Sequence, residues 1–162
     1  ILNDLGAVYL VQHRFYESLV ALQGATTAKP DYAPAWANLG RLHIAMEMPY
    51  TAAGELKKAN DLEKGNVEVL TDLGDALRRT LNYKGAEAAY REALSRKPSH
   101  VRAHTGLAIV LQEKGRYDDA LATLQKADQL APNDPAVLTT IGSILLKQGS
   151  PDDRKRADEV LA

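Results

Sequence analysis

Apolar and polar positions along this chain follow a helical period, and the pattern returns every 34 residues. Leu2, Leu5, Gly6 and Tyr9 share one helical face, His13-Arg14 interrupts it, and Leu19, Leu22 and Ala25 resume it. That spacing predicts a helix, a tight turn and a second helix. Lys29-Pro30 ends the second helix, because proline disfavours helical geometry in the residue before it. The next segment repeats the plan with Trp36, Leu39, Gly40 and His43, a turn near Met48-Pro49, then Ala52, Leu56 and Ala59. Here Lys64 stands where the closing proline is expected, and Gly65-Asn66 supplies the break. A third segment carries Leu70, Leu73, Gly74 and Leu77, then Ala86, Tyr90 and Ala93, and closes on Pro98. A fourth carries His104, Leu107, Ala108 and Leu111, a turn at Gly115, then Ala120, Leu124 and Ala127, and closes on Pro132. The fifth begins with Leu138, Ile141, Gly142 and Leu145, but after Gly149 the register slips. Ala157 and Leu161 fall three residues late, so Ser150-Pro151-Asp152 reads as a longer turn into a last helix.

The five segments span approximately 1–32, 33–66, 67–100, 101–134 and 135–162, and a chain that repeats in this way predicts one helical array. Four of the five first helices carry glycine at the same place (Gly6, Gly40, Gly74, Gly142), and the fourth carries Ala108. Glycine inside a helix costs about 1 kcal/mol relative to alanine. A penalty that recurs needs a recurring compensation, and close approach of the partner helix is the expected one. Ser18, Ala52, Ala86 and Ala120 are the expected facing residues.

The pattern Trp36, Leu39-Gly40, His43, Ala52, Leu56, Ala59, with Pro30, Pro98 and Pro132 closing three segments, resembles the tetratricopeptide repeat over essentially the whole chain. It departs from that family's pattern at His43 and His104, at Lys64, and at the insertion in the last unit. The resemblance implies an all-α solenoid of antiparallel helix pairs forming a right-handed superhelix, about five units with the last incomplete. First helices would line its concave groove.

Where a ligand would sit follows from the same helical wheel. Leu70, Leu73, Gly74 and Leu77 share one face, and Thr71, Asp75 and Arg78 form a second stripe on the order of 120° away, expected to face solvent or a ligand. Equivalent positions hold Asn3, Ala37 and Arg41, Thr105 and Gln112, and Thr139; beside them lie Asp4, Asn38, Asp72, Gly106 and Thr140, then Glu68, Arg79, Arg102 and Lys147. The candidate peptide-binding residues are therefore Asn38, Arg41, Asp72, Asp75, Arg78, Arg79, Arg102, Thr105 and Gln112. This mixed polar surface suits an extended peptide, whose backbone needs hydrogen bonds and whose charges need partners. Pairing of these side chains with one another is the competing reading. Some tetratricopeptide proteins clamp a chaperone's terminal carboxylate with Lys, Asn and Arg. The matching positions here, Asn3, Ala7, Asn38, Glu68 and Asp72, put acids where bases are needed and argue against that use.

Composition changes this picture little. Of 162 residues, 20 are basic and 21 acidic, a net charge of -1 that points to neither nucleic acid nor an anionic membrane. No apolar run approaches the roughly 18 residues of a membrane span, and no targeting segment is recognisable. Cysteine is absent, which removes disulfides, thiol catalysis and cysteine-based zinc sites. It leaves the compartment open, with a lean to the cytoplasm over the periplasm. No phosphate loop, dinucleotide fingerprint, zinc-protease motif or nucleophile elbow is present. The four histidines, His13, His43, His100 and His104, share no metal-ligand spacing. Asp118-Asp119 and Asp152-Asp153 each open a predicted helix, where acids suit the macrodipole. No metal, no cofactor and no catalytic residue is expected.

The sequence therefore predicts a non-catalytic protein-interaction scaffold that takes an extended peptide segment of a partner in its groove. Two alternatives stand beside it. One is the recognition arm of a larger enzyme such as a transferase, encouraged by a chain that opens on Ile1 and suggests a piece of something longer. The other is self-assembly through the array's ends, since neither Ile1 onward nor Val160-Leu161-Ala162 resembles a polar cap.

Overall fold

The computed structural model describes residues 1–161, apart from the side chains of Pro151 and Leu161; the expectations that rest on those two side chains and on Ala162 lie outside the described residues. Among the described residues every regular element is an α-helix. In chain order they are α1 (Leu2–Val11), α2 (Phe15–Ala28), α3 (Ala33–Ala45), α4 (Pro49–Leu62) and α5 (Val67–Arg79), then α6 (Tyr83–Arg96), α7 (Val101–Glu113), α8 (Tyr117–Leu130), α9 (Pro135–Gln148) and α10 (Pro151–Leu161). This is an all-α helical repeat of the solenoid class.

Two compact units divide the chain, one from Ile1 to Asn82 and one beginning at Tyr83. In the first, α1 packs on α2 and α3 on α4, α2 meets α3, α4 meets α5, and α3 lies between α1 and α5. Leu22, Leu39 and Leu42 form its central cluster, flanked by Leu10, Phe15, Leu19, Trp36 and Met46. In the second, α7 packs on α6 and α8, α9 on α7, α8 and α10. Its core is Ala86, Tyr90 and Ala93, then Ala108, Leu111, Ala120 and Leu124, then Ile144 and Leu145.

The recurring glycines are points of close approach. A Cβ on Gly6 would lie 2.5 Å from Leu22 Cγ, and one on Gly40 would lie 2.6 Å from Leu56 Cγ and 3.3 Å from the Ala52 carbonyl oxygen. The leucine four residues beyond the small residue is thus the main body that occupies the space. The small residue contributes backbone proximity, and at the first hairpin Ser18 Oγ donates to the Gly6 carbonyl at 2.8 Å.

The tight turns are as periodic as the cores. His13, Glu47, Leu81, Gly115 and Gly149 all have positive φ, between 56° and 80°. At four of them the next residue's N–H reaches back five positions: Arg14 to Tyr9 O, Met48 to His43 O, Asn82 to Leu77 O and Arg116 to Leu111 O, at 2.8–2.9 Å. This is the Schellman closure of a helix, with its left-handed residue one place past the cap. Between hairpins, Asn66 Oδ1 accepts from the N–H groups of Glu68 and Val69 at 3.1 and 3.2 Å. Asp134 Oδ1 does the same for Ala136 and Val137 at 2.9 and 3.2 Å, so both residues cap the helices that follow.

Candidate functional site

In the first unit, α1, α3 and α5 lie side by side and their polar residues form a connected row. Asn3 Nδ2 donates to Asp4 Oδ1 at 3.1 Å, and Asn38 Nδ2 donates to Asn3 Oδ1 at 2.9 Å. Arg41 Nη1 donates to Asn38 Oδ1 at 3.1 Å, and Arg41 Nε donates to Asp72 Oδ2 at 2.6 Å. The Asp72 side chain is only 4% exposed whereas that of Arg41 is 37% exposed, so the ion pair joins a buried acid to a half-open base. An acid this deep needs its partner, since an unpaired buried charge is costly. A guanidinium carries five N–H donors, and the two bonds above leave several of Arg41's N–H groups unspent. Beside them is a small pocket of ≈ 160 Å³ lined by Ala33, Ala37, Asn38, Arg41, Glu63 and Asn66.

The remaining candidates divide between the units. On α5, Asp75 is half-buried and partnered, Arg78 is half-buried with its Nε closed off and lacking a hydrogen bond, and Arg79 is exposed. On α7 in the second unit, Arg102 is exposed and partnered, and the Thr105 hydroxyl donates to its own helix at Val101 O, 3.1 Å away. Gln112 is 6% exposed. The stripe expected to face solvent or a ligand is therefore more enclosed than its helical wheel implies. Thr71 is fully buried, Ala37 is 4% exposed, and Asp72 is 3% exposed. The reason in the first unit is lateral packing: α3 is flanked by first helices on both sides as well as by α4, which covers three of its faces.

Other sequence candidates sit in structural roles. His43 and His104 are both 7% exposed, on the packed face where they were expected. His43 Nδ1 lies 2.6 Å from Glu55 Oε2. Burial pushes the Glu55 carboxyl above its ordinary value, and the bond to His43 opposes that rise. His100 caps α7, its Nδ1 accepting from Ala103 N–H at 3.3 Å. His13 occupies a turn, edge-on to Phe15. Asp118 and Asp119 stand in the first turn of α8, and Asp119 pairs with Arg116 at 2.7 Å. Among the described residues no group of three or more His, Asp or Glu side chains is placed to hold a metal ion. Among them, too, no helix is long and apolar enough to cross a membrane.

Asn3 was not among the residues expected in the site. Its position, one period before Ala37 and two before Thr71, placed it on the correct stripe. What hid it is that it bonds diagonally, to Asn38, and not to the residue one period on.

Helix hairpins of near-constant length, turned by Schellman closures, closed at small residues and carrying a polar row along the first helices, define a helical-repeat scaffold, a class that works by holding other proteins. The model of the tetratricopeptide repeat matches residues 71–135. Those residues therefore carry the tetratricopeptide repeat. The chain is 32% identical over 136 residues to the cytochrome c-type biogenesis protein CycH of Pseudomonas aeruginosa, a match over 82% of this chain and 33% of that protein. The chain thus spans about a third of that relative's length. Among solved structures it is similar to MamA, with a TM-score of 0.84 at 22% identity over 98% of this chain and 91% of the other. It is also similar to YrrB, described as a TPR protein with an unusual peptide-binding site, with a TM-score of 0.79 at 18% identity over 98% and 80% of the two chains. At such identities the two structures speak for the fold alone.

Proposed function

We propose that this chain is a non-catalytic scaffold that holds an extended segment of a partner polypeptide against the polar row of its first helices. The observation that carries the reading is the run Asn3–Asn38–Arg41–Asp72. Its internal hydrogen bonds fix Arg41 in place while leaving N–H donors unspent beside a pocket. Donors already held in position need no ordering when a peptide carbonyl or carboxylate arrives, which removes part of the cost of binding. Arg78 and Arg79 on α5, and Arg102 and Thr105 on α7, extend the reading within their own units. Asp72, Asp75 and Gln112 serve it as supports. The peptide-binding site described for YrrB, on the same fold, is consistent with this use.

The test is a peptide selected from a displayed library against the wild-type chain, then titrated by calorimetry against Arg41→Gln and, as a control on α4, Lys57→Ala. Arg41→Gln is expected to weaken binding at least tenfold, about 1.4 kcal/mol, while Lys57→Ala leaves it unchanged. Equal affinity of Arg41→Gln and wild type, with both folded by circular dichroism, refutes the site. A second reading, self-association, is favoured by α1, where Leu5 and Val8 are 40% and 50% exposed although their period-mates Leu39 and Leu42 are buried. Sedimentation at several concentrations distinguishes the two, because a monomer throughout excludes it.

A further inference from the structure

Trp36 and His104 stand two repeat periods apart and perform the same task. Trp36 Nε1 donates to the Pro30 carbonyl at 2.9 Å, and His104 Nε2 lies 2.8 Å from the Pro98 carbonyl, the corresponding acceptor. The indole of Trp36 also packs against Leu39 and its cluster. The imidazole of His104 is a smaller ring and cannot fill the same space. Beside it is a cavity of ≈ 450 Å³ walled by Leu94, Pro98, His104, Leu107 and Leu130, with Lys126 at its edge. That volume lies within the usual range for ligand pockets, roughly 300–1,000 Å³. The other ring nitrogen, His104 Nδ1, is buried without a hydrogen-bond partner, so this corner of α7 is not a finished core.

Three sequence differences set the corner apart from its counterpart around Trp36. Leu94 replaces the polar Thr26 and Asn60 found at earlier periods, which makes the wall apolar. Thr123 and Gln129, which complete the lining, replace Glu55 and Asp61, so no acid lines the cavity while Lys126 remains, matching Lys58. The charge complement of such a pocket is an anion beside an apolar ring. The occupant the fold itself demonstrates at this place is a tryptophan side chain.

We propose that this cavity, bounded by α6, α7 and α8, is a second recognition site that takes an aromatic side chain of a partner polypeptide, preferably tryptophan, with an acidic residue next to it in sequence. The ring occupies the space left between His104 and Leu107, and the neighbouring carboxylate meets the Lys126 ammonium. The site rests on the reading of the chain as a polypeptide-binding scaffold but uses none of the residues of the polar row. Loss at one therefore leaves the other intact.

The probe is the blocked dipeptide N-acetyl-Trp-Glu-amide, titrated against the full chain while the methyl resonances of Leu94, Leu107 and Leu130 are followed by NMR. Saturable shifts of these methyls are expected. N-acetyl-Trp-Lys-amide is expected to bind at least fivefold more weakly, and N-acetyl-Ala-Glu-amide to give no saturable shift. His104→Trp fills the cavity from within and is expected to abolish binding. Lys126→Glu, a change on an exposed side chain that leaves the core alone, is expected to reverse the preference between the Glu and Lys dipeptides. No saturable shift with the first probe overturns the proposal, as does binding to His104→Trp equal to wild type. Free indole binding as tightly as the dipeptide also overturns it, by showing a small-molecule pocket instead.

Discussion

Glu47 holds a backbone conformation that belongs to glycine, and replacing it tests the account of the turns. Its φ is 57° and its side chain is exposed. It follows the C-cap Met46 of α3 and precedes the Met48 N–H that reaches back to His43 O at 2.8 Å. A residue with a Cβ in the left-handed region is strained by roughly 1–2 kcal/mol. Glycine removes that strain but loses more backbone freedom on folding, about 0.5–1 kcal/mol. The difference predicts that Glu47→Gly stabilises the chain by about 0.5–1 kcal/mol, a rise of a few degrees at most in Tm for a domain of this size. Glu47→Ala is the control: it removes the same exposed carboxylate but keeps the Cβ, and is expected to stay within about 0.5 kcal/mol of wild type. Leu81, with φ 61°, offers the same relief but is 71% exposed, so some apolar contact is lost with it and the gain is smaller. The measurement is the urea midpoint by circular dichroism at unchanged slope, compared between the glycine and alanine variants. If Glu47→Gly is no more stable than Glu47→Ala, the left-handed strain is not real and the periodic-turn argument fails.

Two glycine replacements should move stability in opposite directions. Gly40→Ala places a Cβ 2.6 Å from Leu56 Cγ, and overpacking on the order of 1–3 kcal/mol is expected to outweigh the helix-propensity gain. Gly54→Ala meets nothing within 4 Å and is expected to stabilise α4 by about 1 kcal/mol; changes of the same sign in the urea midpoint contradict the close-approach account. The Glu87 carboxylate accepts from Lys114 at 2.5 Å and lies 2.8 and 3.4 Å from Arg91 and Arg116, and the Lys114 bond, helped by those charges, holds its pKa below the ordinary 4.5. A lowered folded-state pKa adds stability above the unfolded value and loses it as pH falls through the folded one. Glu87→Gln is therefore expected to cost up to about 1 kcal/mol at neutral pH, with the deficit vanishing in acid; a difference independent of pH between 7 and 2.5 excludes the ionic explanation.

Helix, turn and hairpin were legible because burial recurs with the chain's own period. Leu22, Leu56 and Leu124 are fully buried, as are Ala52, Ala86 and Ala120, and each stands where counting by 34 places it. The left-handed positions were half legible. Gly115 and Gly149 announce themselves, but His13, Glu47 and Leu81 carry no chemical mark of a positive φ. Only counting back from Gly115 by the period reveals them. Periodicity transmits backbone geometry even where the residue type no longer advertises it.

The candidate site was legible in position and not in state. A helical wheel places a side chain on a face, but it does not say what lies across from that face. Asp72 and Thr71 were expected on an open surface, and lateral neighbours cover them. Their burial alters the chemistry assigned to the row. A solvated Asp72 would be a direct ligand to a partner's cation. A buried Asp72 held by Arg41 Nε at 2.6 Å orients the guanidinium, and the positive charge that the row itself offers a partner comes from Arg41. It follows that the row in the first unit should prefer a partner's carboxylates and carbonyls over its amines. Asp72→Asn tests this directly. The neutral amide still accepts from Nε but leaves the Arg41 charge uncompensated, so binding of an acidic peptide should hold or strengthen. If Asp72 touched the ligand itself, binding of a basic peptide would collapse instead.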